Sequence, residues 1–405
     1  MLSTPPRFSI LICTVGKEEL TRGAIKSILD QDYPSFEIIV TDTSGGEQIR
    51  TAADSFNDER IRFFKVPGLD PTISWQFAYE QSTGEYVLWY DDDNRLVPWA
   101  LKRYAKLIEE YGSDIISGNH VYYFGEGNRH KPHLDNTLSM LFPYSLSTKG
   151  YESPAVLRTI YDFSMGIPPQ LARWHSAATF VARSVCEEAC KKTGYVIAPH
   201  MYGNFTFHPI IFTFAKNPIY DDRPLCVIGK FASSITQQWS NTFVQQKRST
   251  ALPFRFTGVT ERTLGNTTAE CYLQVRHDIP AHATYPFNWM KFYRRYSDEL
   301  VFLTIPLVRH AYAWKELWMA VAQHLPPRER MKLRVIILKN SIRFLVLRLA
   351  RALHLSTVLR QFRWRDQTNS MRRTAPLATY EVHTIDACAG RLDEIMSREW
   401  NISIR

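Results

Sequence analysis

The chain has no CxxC pair, no basic leader at its N-terminus, no low-complexity tract and no internal repeat. Each absence removes a class of protein. Six cysteines (Cys13, Cys186, Cys190, Cys226, Cys271 and Cys388) lie far apart without regular spacing, which argues against a disulfide scaffold or a zinc ribbon. Cys186 and Cys190 would share a helix face, but two thiols alone do not make a zinc site. The opening "MLSTPPRFSILICTVG" lacks a basic region, and its apolar run is too short for a secretion signal. A cytoplasmic protein with free thiols is expected. No membrane span is expected either: in residues 335–353, Lys339, Arg343, Arg348 and Arg351 interrupt the apolar run.

What is present is a chain of 405 residues, 45% hydrophobic and 22% charged, enough to bury a large core in more than one structural unit. The net charge of +9 is local. Residues 328–365 hold eleven Lys or Arg against one acid, Glu329, so that segment alone carries +10. Positions 338, 342, 345, 346, 349 and 353 are all Ile, Leu or Val, an apolar stripe at helical spacing. Such a basic amphipathic segment suits docking on anionic lipid headgroups, or packing on the rest of the protein with its charges solvated. No nucleic-acid recognition motif accompanies the charge, and no nucleic-acid partner is expected.

The first 125 residues alternate between strand and helix patterns. "RFSILICT" (7–14), "FEIIVTD" (36–42), "IRFFKV" (61–66) and "EYVLWY" (85–90) read as buried strands. Between them, Leu20, Ala24, Ile25, Ile28 and Leu29 line one helical face, residues 47–56 suit a short helix, and 72–82 suit another containing Trp75. Pro98 stands where a first-turn proline belongs, ahead of a stripe of Leu101, Tyr104, Ala105 and Ile108. "DIISG" (114–118) and "VYYF" (121–124) supply further strand material. This alternation predicts βαβ units and a mostly parallel sheet, whose ligands bind beyond the carboxyl ends of the strands. Residues 126–175 are less patterned and rich in Pro, His and aromatics; Tyr122, Tyr123, Phe124, Tyr144, Tyr151, Tyr161 and Trp174 could stack on sugars or serve the core. Order returns over 176–230, and the last third is mainly helical.

Two acidic tips stand at predicted carboxyl ends: Asp42 after the second strand, and Asp91, Asp92 and Asp93 after the fourth. On an extended backbone Asp91 and Asp93 point one way and Asp92 the other. Two carboxylates about 4 Å apart repel by roughly 4 kcal/mol at an effective dielectric near 20. Water, a shared proton or a cation between them relieves that repulsion. Hard divalent cations take oxygen ligands, often one or two carboxylates plus substrate phosphates. The alternative is a solvated acidic turn.

These segments resemble the nucleotide-sugar-dependent glycosyltransferases of family 2. The resemblance is carried by "SILICTVGKEELTRGAIKSILDQDYPSFEIIVTDTSGG" and "SWQFAYEQSTGEYVLWYDDDNRLVPWAL", across about residues 7–125. A weaker match, to a bacterial branch, runs through "APHMY" and "DRPLCVIGKFASS". The resemblance implies a GT-A fold, a mostly parallel sheet flanked by helices, with a mainly helical C-terminal extension. It implies a glycosyltransferase domain over 1–240, its donor half at 1–125 and its acceptor-side half at 126–240, followed by a helical region at 241–405. Donor binding would fall to Thr14, Val15, Gly16, Glu18, Asp42, Thr43, Trp75, Asp91 and Asp92. Asp91 and Asp93 would form the D-x-D pair holding Mn2+ or Mg2+, and Asp92 would hold the loop or touch the donor.

The chain departs from the family pattern in places. Cys13 and Gly16 replace a usual proline and asparagine, Thr43 replaces an aspartate, and Pro199-His200 replaces Pro-Asp. An inverting transfer needs a base for the acceptor hydroxyl, and histidine titrates in the right range. His200 is the candidate by motif position, with His208 and Asp221 or Asp222 as rivals. The partners implied are a nucleoside-diphosphate-sugar donor, a glycan or lipid-linked acceptor, and an anionic membrane surface on the cytoplasmic face of the inner membrane. Two other classes remain open: a nucleotidyltransferase, which would want a glycine-rich loop where "TVGKEE" stands, and a sugar- or nucleotide-binding protein without activity.

Overall fold

The computed structural model describes residues 8–126, 134–141, 146–163, 174–231, 254–302, 307–353, 372–400 and 402–404. The chain divides into two compact units: Met1–Leu157 with Ile167–Asn241 and Met371–Arg405, and Arg158–Gly166 with Thr242–Ser370. The strands are β1 (Phe8–Thr14), β2 (Phe36–Asp42), β3 (Ile61–Lys65), β4 (Tyr86–Asp91), β5 (Asn94–Leu96), β6 (Ile115–Phe124), β7 (Thr137–Leu141), β8 (Thr148–Gly150), β9 (Thr179–Ala182), β10 (Pro218–Lys230) and β11 (Arg372–Pro376). The helices are α1 (Glu18–Leu29), α2 (Gln48–Asp54), α3 (Pro71–Gln81), α4 (Ala100–Tyr111), α5 (Ser153–Tyr161), α6 (Arg183–Thr193), α7 (Gly203–Phe214), α8 (Leu264–Asp278), α9 (Trp289–Phe302), α10 (Leu307–His324), α11 (Pro327–Ala352), α12 (Ile385–Gly390) and α13 (Leu392–Trp400).

All eleven strands join one sheet in the first unit, ordered β11-β7-β6-β9-β4-β1-β2-β3, with β10 beside β6 and carrying β5 and β8. It is parallel across β3, β2, β1 and β4, as the alternating pattern predicts. Beyond β4 it becomes mixed, because β9 enters antiparallel between β4 and β6. Strand β2 is buried at every position and β1 at all but one, which is why they read as unbroken apolar runs. Helix α1 covers them with Thr21, Ala24, Ile25 and Ile28, while Glu18 and Glu19 in its first turn and Lys26 in its last complement the helix dipole. Asp70 caps α3 by accepting from Thr72 N, with Pro71 in its first turn.

Three elements differ from their sequence patterns. "DIISG" and "VYYF" are the two ends of a single strand, β6, because Asn119 and His120 between them are buried in it. Helix α4 begins at Ala100, behind Trp99 rather than at Pro98. The last segment of the chain returns to the sheet. Its β11 pairs antiparallel with β7, and Leu377, Val382, Ile385, Leu392, Ile395 and Met396 enter the same core as Ile10, Val40 and Leu88. "RRTAP" is too short and too charged to announce a strand.

The amino-terminal ends of β1, β2 and β4 are tied by one buried carboxylate. Glu37 Oε1 accepts from Ser9 Oγ at 2.8 Å, Thr83 N at 2.6 Å, Thr83 Oγ1 at 2.9 Å and Gly84 N at 3.1 Å, and Arg62 approaches Oε2 at 3.4 Å. Gly84 is required there: a Cβ would stand 2.5 Å from Ser9 Oγ and 2.7 Å from Ser9 N.

In the second unit, Thr263 caps α8 by accepting from Asn266 N. Asn340 on α11 donates to Ser297 Oγ at 2.9 Å and Asp298 Oδ1 at 2.8 Å on α9. Helix α11 carries two apolar faces. Leu333, Ile337, Phe344, Leu347 and Ala350 are buried, whereas Met331, Val335, Leu338, Ile342, Leu345, Val346, Leu349 and, just past the helix, Leu353 are exposed. The stripe read from the sequence is therefore the outward one. Residues 354–365 of the basic segment lie outside the described residues. Among the described residues no helix is long and apolar enough to cross a membrane.

Two stability predictions follow from these contacts. Glu37→Ala strands the donors on Ser9, Thr83 and Gly84, and should lower unfolding free energy by about 3 kcal/mol or more in urea titrations; a change below about 1 kcal/mol would contradict the tie. His208 and His282, one in each unit, are held neutral by burial, their pKa values pushed down to about 4. As pH falls from about 6.5 toward 4, the unfolded chain takes up protons that the folded chain refuses, so stability should drop across that window. Thermal melts should show the fall, and His208→Leu should flatten it.

Candidate active site

The register of the parallel strands builds the site. Thr14 pairs with Asp42 across β1 and β2, and Cys13 pairs with Asp91 across β1 and β4, so all three carboxyl ends finish at one level. The structure thus brings Thr14, Asp42 and the Asp91–Asp93 tip together on one edge. Val15 and Gly16 form the turn from β1 to α1, and Glu18 opens α1 in an ion pair with Arg22 at 3.1 Å.

The three aspartates divide their tasks. Asp92 is turned into protein: its Oδ2 accepts from Thr14 Oγ1 at 2.7 Å, and Lys17 Nζ stands 3.5 Å from Oδ1. Thr21 Oγ1 on α1 extends the chain by donating to Thr14 Oγ1 at 3.0 Å. Asp91 is touched by Asn94 Nδ2 only at 3.5 Å. Burial drives its carboxyl well above the ordinary range, with Asp93 and Asp92 adding to the rise and Lys230 and Lys17 opposing it. Asp92 is also raised by burial, against the pull of Lys17.

Asp42 is fully buried and satisfied by Ser44, whose N donates at 2.9 Å and whose Oγ donates at 2.8 Å. Thr43 N and Oγ1 both donate to Thr14 O. Trp75 is buried on α3 at Gly203 and Ile197 of the segment leading into α7.

The base candidates differ in setting. His200 is 69% exposed and has φ +59°, a left-handed backbone uncommon outside glycine. Its N donates to Thr72 Oγ1 at 2.9 Å, and its Nδ1 lies 3.9 Å from Asp70 Oδ2. Those partners form the N-terminus of α3, which follows β3 and so lies on the same sheet edge as the aspartates. His208 lies half-buried against Phe207 and Phe212, its buried Nε2 without a hydrogen-bond partner, and desolvation makes it a weak base. Asp222 is buried on β10 and accepts from Asn119 Nδ2 at 3.2 Å; Asp221 pairs with Arg103 at 2.6 Å and Arg223 at 3.1 Å. Both carboxylates are bound up within the sheet.

Sequence reasoning missed several residues at this edge. Lys17 and Arg95 flank the motifs and were legible as neighbours. His175 was not: it lies half-buried 5.1 Å ring to ring from His120, and desolvation, then His120 and Lys230, push its pKa far down. Lys230 closes β10 over the Tyr122 ring at 5.3 Å. Of the aromatic set, Tyr123, Phe124 and Trp174 serve the core, and Tyr144 lies outside the described residues. Among the described residues no group of three or more His, Cys, Asp or Glu could by itself hold a metal ion.

Residues 9–166 match the glycosyl transferase family 2 description. A GalNAc(5)-diNAcBac-PP-undecaprenol beta-1,3-glucosyltransferase of Campylobacter jejuni is 31% identical over 118 residues, 28% of this chain and 38% of that protein. The poly(ribitol-phosphate) beta-N-acetylglucosaminyltransferase TarS of Staphylococcus aureus is 25% identical over 115 residues, 27% of this chain and 20% of that protein. The chain therefore matches well under half the length of these relatives. The structure of S. aureus TarS 1-349 in complex with UDP-GlcNAc aligns with a TM-score of 0.50 and 15% identity, covering 82% of this chain and 89% of that one. That likeness concerns the fold. Residues 9–166 thus carry a match to glycosyl transferase family 2, and the sheet they begin is of the GT-A kind.

Proposed function

We propose that the protein is a metal-dependent glycosyltransferase that moves a sugar from a nucleoside-diphosphate-sugar to a glycan or lipid-linked acceptor, with inversion. The observation that carries this reading is the acidic tip of β4 beside Thr14, Lys17 and Asp42, with the half-buried Asp91 carboxyl pushed up by desolvation and by Asp93 and Asp92. Asp92 is committed to Thr14 and Lys17 and holds the loop. That leaves Asp91 and Asp93 as the pair for Mn2+ or Mg2+, a donor set such ions accept when phosphate oxygens complete it. When bound, the ion supplies charge neutralisation for the departing diphosphate. Asp42, with Thr43 and the 14–16 turn, would hold the nucleoside end of the donor.

His200 serves as the base. In the proposed step the acceptor oxygen attacks the anomeric carbon as the bond to the nucleoside diphosphate breaks. The leaving diphosphate keeps the electron pair, and the acceptor proton passes to the His200 imidazole. Exposure keeps that ring reachable by an acceptor, Asp70 lies behind it, and its left-handed backbone is the kind of strain found at working sites. The outward apolar stripe of α11, flanked by Lys332, Arg334, Lys339, Arg343 and Arg348, suits contact with an anionic membrane surface on the cytoplasmic side, where a lipid-linked acceptor would lie. The relatives named for undecaprenol-linked and poly(ribitol-phosphate) acceptors support that acceptor class.

A panel of nucleotide sugars with Mn2+ tests the whole reading; neither turnover nor Mn2+-dependent nucleotide binding in any of them would sink it. Asp93→Ala should abolish Mn2+-dependent donor binding, and unchanged affinity by calorimetry would remove Asp93 from its role. His200→Ala should lower kcat by about 100-fold or more while donor affinity holds. An equal loss of donor affinity would reassign His200 to binding.

A further inference from the structure

We propose that Asp386, on the returning C-terminal segment, is a positioning residue for the triple-aspartate loop and acts through Arg95; this rests on the reading of that loop as the donor site. Arg95 is 1% exposed. Its Nη1 donates to Asn94 O at 2.7 Å and Asp92 O at 3.2 Å, the carbonyls on either side of Asp93. The Asp93 carbonyl itself accepts from Gly229 N at 3.0 Å. The backbone around the proposed metal ligand is thus held from β5 by Arg95 and from β10 by Gly229.

Arg95 is held in turn. Its Nε donates to Asp386 Oδ1 at 2.6 Å, an ion pair between residues 291 positions apart. Its other flank lies flat on α1, where a Cβ on Gly23 would stand 2.0 Å from Nη2. Buried charge needs a counter-charge, and Asp386 supplies it. Helix α12 is fixed at its start, because Tyr123 OH donates to His383 O at 3.0 Å and Thr384 Oγ1 accepts from Ala387 N at 3.2 Å. Ile385 and Cys388 anchor it in the core. Asp386 itself is 52% exposed, so its removal leaves no cavity and lets water reach the guanidinium. Loss of Asp386 should therefore loosen the loop without unfolding the unit. A chain segment remote in sequence would in this way set the geometry of Asp91 and Asp93.

The test compares Asp386→Asn, Asp386→Glu and a control, Asp393→Asn. Asp393 Oδ1 accepts from Ile404 N at 3.0 Å in the same segment. Hydrogen–deuterium exchange over residues 91–97 and calorimetric binding of UDP, GDP and ADP with Mn2+ are read beside Tm. Asp386→Asn should speed exchange in 91–97 and weaken Mn2+-dependent diphosphate binding by about 10-fold or more, as loss of an outer-shell partner does. Asp386→Glu should recover part of both, and Asp393→Asn should lower Tm only. Wild-type exchange in Asp386→Asn, equal loop loosening in Asp393→Asn, or a loosened loop with unchanged affinity would each overturn the proposal. If the wild-type protein binds none of the diphosphates yet Asp386→Asn still loosens 91–97 selectively, the positioning contact stands and the donor-site reading falls.

Discussion

The register of three parallel strands is the constraint on which the site depends. Because β1, β2 and β4 finish level, Thr14, Asp42 and Asp91 are neighbours although they lie in separate βαβ units. A slip by one residue would turn the alternate set of side chains outward and bury the wrong carboxylates. Glu37 works at the opposite end of the same strands, joining Ser9 of β1 to the Thr83–Gly84 entry of β4. The two carboxylates differ in their partners: several donors meet Glu37, while Asn94 Nδ2 stands 3.5 Å from Asp91.

Charge at the site is arranged in layers. Lys17 and Lys230 face the carboxylates directly, whereas Arg95 grips only main-chain carbonyls of the same loop. That division suits the cation site proposed above. A guanidinium in contact with the carboxylates would occupy the place a cation takes; one beneath the backbone fixes the direction of the loop without taking that place. The histidines follow similar logic. His200 stays exposed, while desolvation pushes the pKa values of His175 and His208 down.

Helix α11 shows why a pattern can be right in period and still ambiguous in meaning. Its residues at 338, 342, 345 and 349 form a continuous apolar stripe, and so do 333, 337, 344 and 347. Periodicity identifies both as helix faces, but only packing reveals that the second set meets α9 and α10 while the first faces outward. The surrounding cations carry no register information, because solvated charges constrain a helix weakly.

Much of the site was readable without coordinates. The apolar runs of β1 to β4, the acidic tips that end them and the family resemblance locate Thr14, Asp42 and Asp91 to Asp93, since strand period and chain order are local properties. The turning of Asp92 into the protein could not be read so securely, because it depends on a hydroxyl 78 positions away. His175, Lys230 and the commitments of Asp221 and Asp222 were equally hidden, for they arise where strands distant in sequence lie side by side. Local chemistry thus dictated which groups stand at the strand tips. Long-range packing settled which of them are spent on the protein itself, for a carboxylate's partner is chosen by proximity in space, and Asp386 meets Arg95 only after the sheet has closed.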